Sequence, residues 1–429
     1  MNATVQRYGS GLLGVSDHKE GNLMRTASKS VALTGAVLSL GLVVSGCSSS
    51  TTTSTTTPSP SASKSVAIPQ ISAAEFKSDF STMKLLTGLS ASGKGLVGVL
   101  LPDTTTSTRY VQYDAPYLKQ AFEAAGLPAS DFKIDNAGGS ASTMQTQAEA
   151  DINAGASVLL VDSLDSGSGA AIESKAKAAG VKVIDYDRLT KGGPADRYYV
   201  SFDNTKVGAL IGAGEVACIA AWNVAKPNIL IMNGDPTDNN ATLFATGYHS
   251  VVDPKFAAGT YVKVGEPAGT WTPSVAATTF EQQYTAHPNI NAVITPNDDN
   301  ANAVISVLKK NNIPAKKFPT TGQDASLPGL QNILTGYQCG TVYKPIYLEA
   351  QAAAALALFL RAGATPPATL ANATTTDTVL KAAIKSAYTT PLWVTPTNMA
   401  ATVVKDGAVK VSVLCAGATA SACTAAGIK

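Results

Sequence analysis

Two doubly wound α/β lobes, each a mostly parallel sheet covered by helices on both faces, are the fold this sequence predicts. From residue 94 onward, short apolar runs rich in β-branched residues alternate with amphipathic stretches, the pattern of parallel strands buried on both faces. Some six to eight such units occur without a repeat at constant period, which favours two open sheets over a single closed barrel. Each run also stops in a polar cluster, and open α/β sheets bind ligands outside the carboxyl ends of their strands.

The first strand is "GLVGVLL" (95–101), followed by a helix around 114–126. "SVLLVDS" (157–163) precedes a helix containing "AAIESKAKAAG" and then the strand "VKVIDYDR" (181–188). "YYVSFDN" (198–204) leads into a long helix to about residue 222, then to "NILIMNG" (228–234). "NAVITPND" (291–298) precedes the helix "NANAVISVLKKN", and "TTGQDA" (320–325) precedes another. "GTVYKPI" (340–346) is the last strand before the apolar helix "LEAQAAAALALFLRAG".

Upstream, Arg25 and Lys29 precede the uncharged stretch "VALTGAVLSLGLVVSG", which ends at Cys47. A charged segment followed by a short apolar one reads as an export signal, too short for a comfortable membrane span. "VSGC" (44–47) resembles the lipobox of bacterial lipoproteins, which implies an acylated Cys47 as the mature N-terminus. Residues 1–46 are then a signal peptide, with Met24 as the start, and 47–66 a Ser/Thr/Pro tether with nothing to bury.

The 429 residues are 45% hydrophobic, enough for two cores, and carry a formal charge of +2. Arg7, Lys19, Arg25 and Lys29 against Asp17 and Glu20 supply all of it, so the body holds 28 bases and 28 acids. A neutral body without a basic run is a poor nucleic-acid binder. Four cysteines follow Cys47, an even number that favours disulfides in an exported protein. Cys415 and Cys423, eight apart, form the first candidate pair, leaving Cys218 with Cys339. Without CxxC or a histidine cluster, zinc is not expected.

Several motifs fail. "GLSASGKG" (88–95) has Gly95 where a Walker loop needs Ser or Thr, and it precedes its strand instead of following one. Counted from Asp235, a calcium loop would need Gly at Asn240 and Glu at Thr246. No GxSxG or HExxH occurs, so neither metal nor cofactor is expected. What remains is the series of strand-end clusters: Pro102-Asp103, Asp187-Arg188, Asp235 to Asn240, Asn297-Asp298, Gln323-Asp324 and Lys344. Any one of them reads as a helix cap. Six together, with Arg and Lys among them, exceed capping needs and predict a shared polar cleft. Carboxylates accept from a sugar hydroxyl, Arg and Lys donate to it, and Asn does both. Trp271 in "AGTWTPS" and Tyr110 in "TRY" can cover the C–H face of a ring.

In order, "VIDYDR", "VSFDN", "NGDPTDNNATLF", "TPND", "TGQDA" and "GTVYKPI" resemble the D-xylose-binding members of the type I periplasmic binding proteins, which serve ATP-binding-cassette transporters. The resemblance covers roughly residues 94–412. It implies two Rossmann-like lobes joined by a three-segment hinge that close on a sugar. Residues 67–199 with about 345–375 would form the first lobe, and 200–344 with about 376–429 the second. It also implies sugar hydrogen bonds from Arg109, Asp187, Arg188, Asp238, Asn240, Asn297, Asp324 and Lys344, with Trp271 and Tyr110 stacking. Three positions depart from the family pattern: Tyr110 stands where Trp is usual, Pro102-Asp103 where two aspartates are, and Thr242 where Lys is. Glucose, galactose, ribose or arabinose therefore stand beside xylose as ligands. The function expected is that of a monomeric, lipid-anchored, non-enzymatic protein that delivers a monosaccharide to a membrane permease. A sugar-sensing receptor component is an alternative. A lac-repressor-type regulator would need an N-terminal helix-turn-helix, and a secreted glycosidase two separated carboxyls, whereas here each candidate acid has an amide or a base beside it.

Overall fold

In the computed structural model of the protein, residues 68–429 are described. The expected signal peptide, Cys47 and the tether to residue 66 lie outside them. The chain first lays down β1 (Leu96–Leu101), β2 (Phe132–Asn136), β3 (Ala156–Val161), β4 (Lys182–Tyr186) and β5 (Tyr198–Phe202). Then come β6 (Asn228–Ile231), β7 (Val262–Gly265), β8 (Ala292–Ile294) and β9 (Thr341–Tyr343), and last β10 (Ala373–Asp377), β11 (Ala382–Thr389) and β12 (Leu392–Val394).

The first sheet has the order β10-β11-β5-β4-β3-β1-β2, parallel except where β10 pairs with β11. Its inner strands are apolar on both faces. Val97, Val99, Val158 and Leu160 pack with Leu118 and Phe122 of the helix Ala115–Ala124 and with the helix Ile346–Arg361. Leu100, Leu159 and Val161 point the other way, onto Met144 and Ile172 of the helices Ala141–Asn153 and Ser166–Ala178.

The second sheet is β7-β6-β8, all parallel. Single bridges, Val293 to Thr320 and Gln323 to Val342, carry it on to β9, which pairs antiparallel with β12. Ile229 and Ile231 face the helices Asn204–Ala221 and Asn239–Ala257. These two helices cross closely, because a methyl group on Gly208 would lie 2.0 Å from the carbonyl oxygen of Phe244. Leu230 and Met232 face the helices Pro273–Ala286 and Asp298–Lys310.

The chain passes between lobes three times: after β5, at Lys344-Pro345, and between β11 and β12. The lobe boundaries differ from those expected. β5 continues to Phe202, and residues 376–389 belong to the first lobe, because β11 pairs in parallel with β5 and buries Ile384 and Ala387. Both disulfides join the expected partners, Cys218 to Cys339 and Cys415 to Cys423, with Cα atoms 5.8 and 5.7 Å apart. After β12 the chain packs Met399, Val403 and Leu414 against Leu330 and Ile333 of the second lobe. Among the described residues, no helix is long and apolar enough to cross a membrane.

Candidate functional site

All ten residues expected at the site line one cavity, at the strand ends where the two lobes meet. The Pro102-Asp103 cluster does not reach it. Asp103 instead accepts hydrogen bonds from the Thr105 and Thr106 amides at 2.8 and 2.7 Å, shaping its own loop.

Arg109 directly follows that loop and is fully enclosed. Its guanidinium donates twice to Asp114 (2.9 and 2.6 Å), once to Asp187 (2.7 Å) and once to Glu349 (2.7 Å). Burial, with Asp187 and Asp114 close by, pushes the Glu349 carboxyl up to about 8 against the pull of Arg109. At Asp187 burial works the same way, but Arg109, Lys344 and Arg188 outweigh it and hold the carboxyl at about 2. Asp187 is therefore a fixed anion with a strongly polarised surround.

Asp187 also sits in the left-handed region, at φ 57°, as does Asp324 at φ 91°. Such conformations cost about 1–3 kcal/mol for a residue with a side chain and persist only where the surroundings enforce them. At Asp187 the carbonyl accepts from Tyr199 Oη (3.0 Å), Ser201 Oγ (2.8 Å) and Asn240 Nδ2 (3.1 Å). At Asp324 the amide is tied to the Val342 carbonyl at 2.8 Å. Both strained turns aim a carboxylate into the cavity, and Lys344 Nζ lies between them, 3.2 Å from Asp324 and 3.7 Å from Asp187.

On the opposite wall Arg188 Nε lies 3.3 Å from Asp238 and 3.6 Å from Asp162, with its guanidinium 5.6 Å from the Tyr110 ring centre. Tyr110 is fixed by its hydroxyl, which donates to Asp187 at 3.1 Å, a bond that Trp could not make from its ring carbons. Asp238 caps the helix Asn239–Ala257 through the Asn240 amide at 2.8 Å and accepts from the Trp271 indole at 3.2 Å. Asn240 differs from expectation in one respect. Its amide group is already engaged at both ends, by Asn204 Nδ2 (2.9 Å) and by the Asp187 carbonyl, so it braces the wall as well as lining it.

The lining thus pairs three bases, Arg109, Arg188 and Lys344, with three acids, Asp187, Asp238 and Asp324. Interleaved charges of zero sum offer many strong donors and acceptors without selecting a charged ligand, which suits a neutral polyol. Among the described residues no group of His, Cys, Asp or Glu is placed to hold a metal ion. Sequence reasoning missed Thr106, Ser107 and Phe244 in the lining, named Gln323 only as part of a strand-end cluster, and missed Asp162 and Glu349 behind the lining. Phe244 and Gln323 belong to motifs already singled out. Glu349 had a signal of its own, a lone acid in the apolar run "LEAQAAAALALFL".

Two hinged lobes enclosing a neutral hydrogen-bonding cavity define a binding protein that closes on a small polar solute. The chain belongs to the periplasmic binding protein domain family, which matches residues 97–365. It is 35% identical over 332 residues to the D-xylose-binding periplasmic protein of Escherichia coli, covering 76% of this chain and 94% of that protein. A multiple sugar-binding periplasmic receptor of Rhizobium radiobacter is 31% identical over 335 residues, or 74% of this chain and 91% of the receptor. The crystal structure of a carbohydrate transporter solute binding protein from Chloroflexus aurantiacus, in complex with D-glucose, superposes with a TM-score of 0.67. It is 27% identical and covers 75% of this chain and 98% of its own. These relatives are sugar-binding periplasmic or transport proteins, and the family binds solutes for transport instead of converting them.

Proposed function

We propose that this protein captures a monosaccharide, D-xylose before other aldoses, and delivers it to the permease of an ATP-binding-cassette importer. One observation carries the reading: residues from seven separated stretches converge on a single cavity whose acids and bases balance. The ten lining residues named above are the proposed sugar contacts, with Trp271 and Tyr110 against the ring. The names of the relatives support xylose, and the glucose complex of the structural neighbour supports a hexose as the second reading. The protein works as a monomer, held at the outer face of the cytoplasmic membrane by an acylated Cys47.

Calorimetric titration of the purified chain with D-xylose, L-arabinose, D-ribose, D-glucose and D-galactose tests this. One site per chain, with D-xylose the tightest at micromolar affinity or better, is the expected result. Tightest binding to D-glucose selects the second reading, and heats of dilution alone across the panel refute both. The anchor is tested separately by Cys47→Ser in the producing cell. An acyl chain contributes about 0.8 kcal/mol per buried CH₂ to membrane attachment. The variant should therefore leave the membrane fraction, and unchanged retention refutes the anchor.

A further inference from the structure

The loop that joins β1 to Arg109 touches the opposite lobe with three consecutive residues. The Thr106 carbonyl accepts from Asn297 Nδ2 at 3.2 Å, Ser107 Oγ donates to Asp324 at 3.1 Å, and the Thr108 amide donates to Asp299 at 2.9 Å. Asn297 and Asp324 line the cavity, but Asp299 does not. It stands half-buried in the first turn of the helix Asp298–Lys310 and reaches the loop from outside the sugar space. Within its own lobe the loop is already shaped, since Asp103 holds the Thr105 and Thr106 amides and its carbonyl accepts from Asn136 Nδ2 at 2.8 Å.

We propose that Asp299 is a positioning residue that fastens the loop Thr106–Thr108 to the second lobe and thereby sets the lifetime of the closed, sugar-holding state. The inference rests on the sugar-capture reading above. Asp299 and Thr108 are 191 positions apart and lie in different lobes, so their bond forms only when the lobes meet. An interaction present in the closed state alone shifts the open–closed equilibrium by its full strength. A carboxylate acceptor makes it one of the stronger hydrogen bonds available. Thr108 immediately precedes Arg109 and Tyr110, so the same bond holds in place the backbone that carries two of the proposed contacts. Because Asp299 is not among the residues that line the cavity, its loss should weaken every sugar by one common factor.

Stopped-flow binding and release, with D-xylose and D-glucose as probes, separate these effects. For Asp299→Ala release should be about tenfold faster for each sugar bound, association should stay within about twofold, and the ratio of the two affinities should not change. Asp299→Asn, which keeps an oxygen for the Thr108 amide, should restore most of the slow release. Should Asp299→Ala not fold, Thr108→Pro deletes the donor from the other side, just before a helix where a missing N–H is tolerated, and must give the same faster release. Wild-type release rates in the alanine and proline variants overturn the proposal, as does an altered sugar preference, which would make Asp299 a ligand contact. A wild-type chain that binds neither these probes nor the other sugars titrated overturns the sugar-capture reading, and the latch with it. That result is distinguishable from loss of the latch alone.

Discussion

At Gly234 an added methyl group would lie 2.2 Å from Cε2 and Cζ2 of Trp271, so the indole rests directly on the turn that follows β6. That contact leaves the indole N–H aimed at Asp238, and Asp238 in turn faces Arg188. Gly234→Ala should therefore push the ring out of place and break the line from Trp271 to Arg188. Overpacking of this kind costs about 1–3 kcal/mol, so the variant should melt lower and bind sugar about tenfold more weakly. Titration and melting of the variant check this, and unchanged affinity would show that Trp271 is no platform for the ligand. Motif and composition reveal which residues gather here but not how they are held. "DYDR" marks Asp187 as a site residue, yet nothing in those letters shows its positive φ or the three donors on its carbonyl. Asn240 likewise reads as a ligand residue, while its bonds to Asn204 and Asp187 depend on elements that meet only in the folded chain.

Among the elements, legibility follows burial. β1 and β3 lie inside the first sheet, buried on both faces, and their sequences are nearly continuous apolar runs, while β4 between β3 and β5 is buried from Val183 onward. β2 and β7 sit at sheet edges, half in solvent, so "FKIDN" and "VKVG" carry no such run and went unseen. The β10–β11 hairpin is also missing from that reading, because the edge strand "ATTTD" is polar, "AAIKSAYT" beside it mixes Lys and Ser with its apolar residues, and their antiparallel pairing breaks the strand–helix rhythm. This one omission misplaced a lobe boundary, since β11 carries the chain back into the first sheet before the last crossing. Helices above the inner strands were readable for the same reason as those strands. The apolar helix Ile346–Arg361 is nearly all buried, which explains its run of alanine and leucine.

At the scale of the whole molecule, both disulfides belong to the second lobe. Cys218 lies in the helix Asn204–Ala221 and Cys339 just ahead of β9, while Cys415 and Cys423 close the C-terminal segment on itself. Neither bridges the lobes or lines the cavity, so neither restrains the hinge or touches the ligand. Their contributions to stability should differ, because the first closes a separation of 121 residues and the second one of 8. In the chain-entropy picture a loop of about 100 residues is worth about 4.7 kcal/mol, and a loop this short roughly half as much. With roughly 2–4 °C per kcal/mol for large domains, Cys218→Ala with Cys339→Ala should lower the melting temperature by on the order of 10 °C. Cys415→Ala with Cys423→Ala should lower it by about half that. Sugar affinity at 25 °C should stay within about twofold of wild type in both double variants. Scanning calorimetry with and without sugar, paired with titration, measures both quantities. A tenfold loss of affinity without a drop in melting temperature would mean that the long disulfide governs closure, contrary to its place inside one lobe.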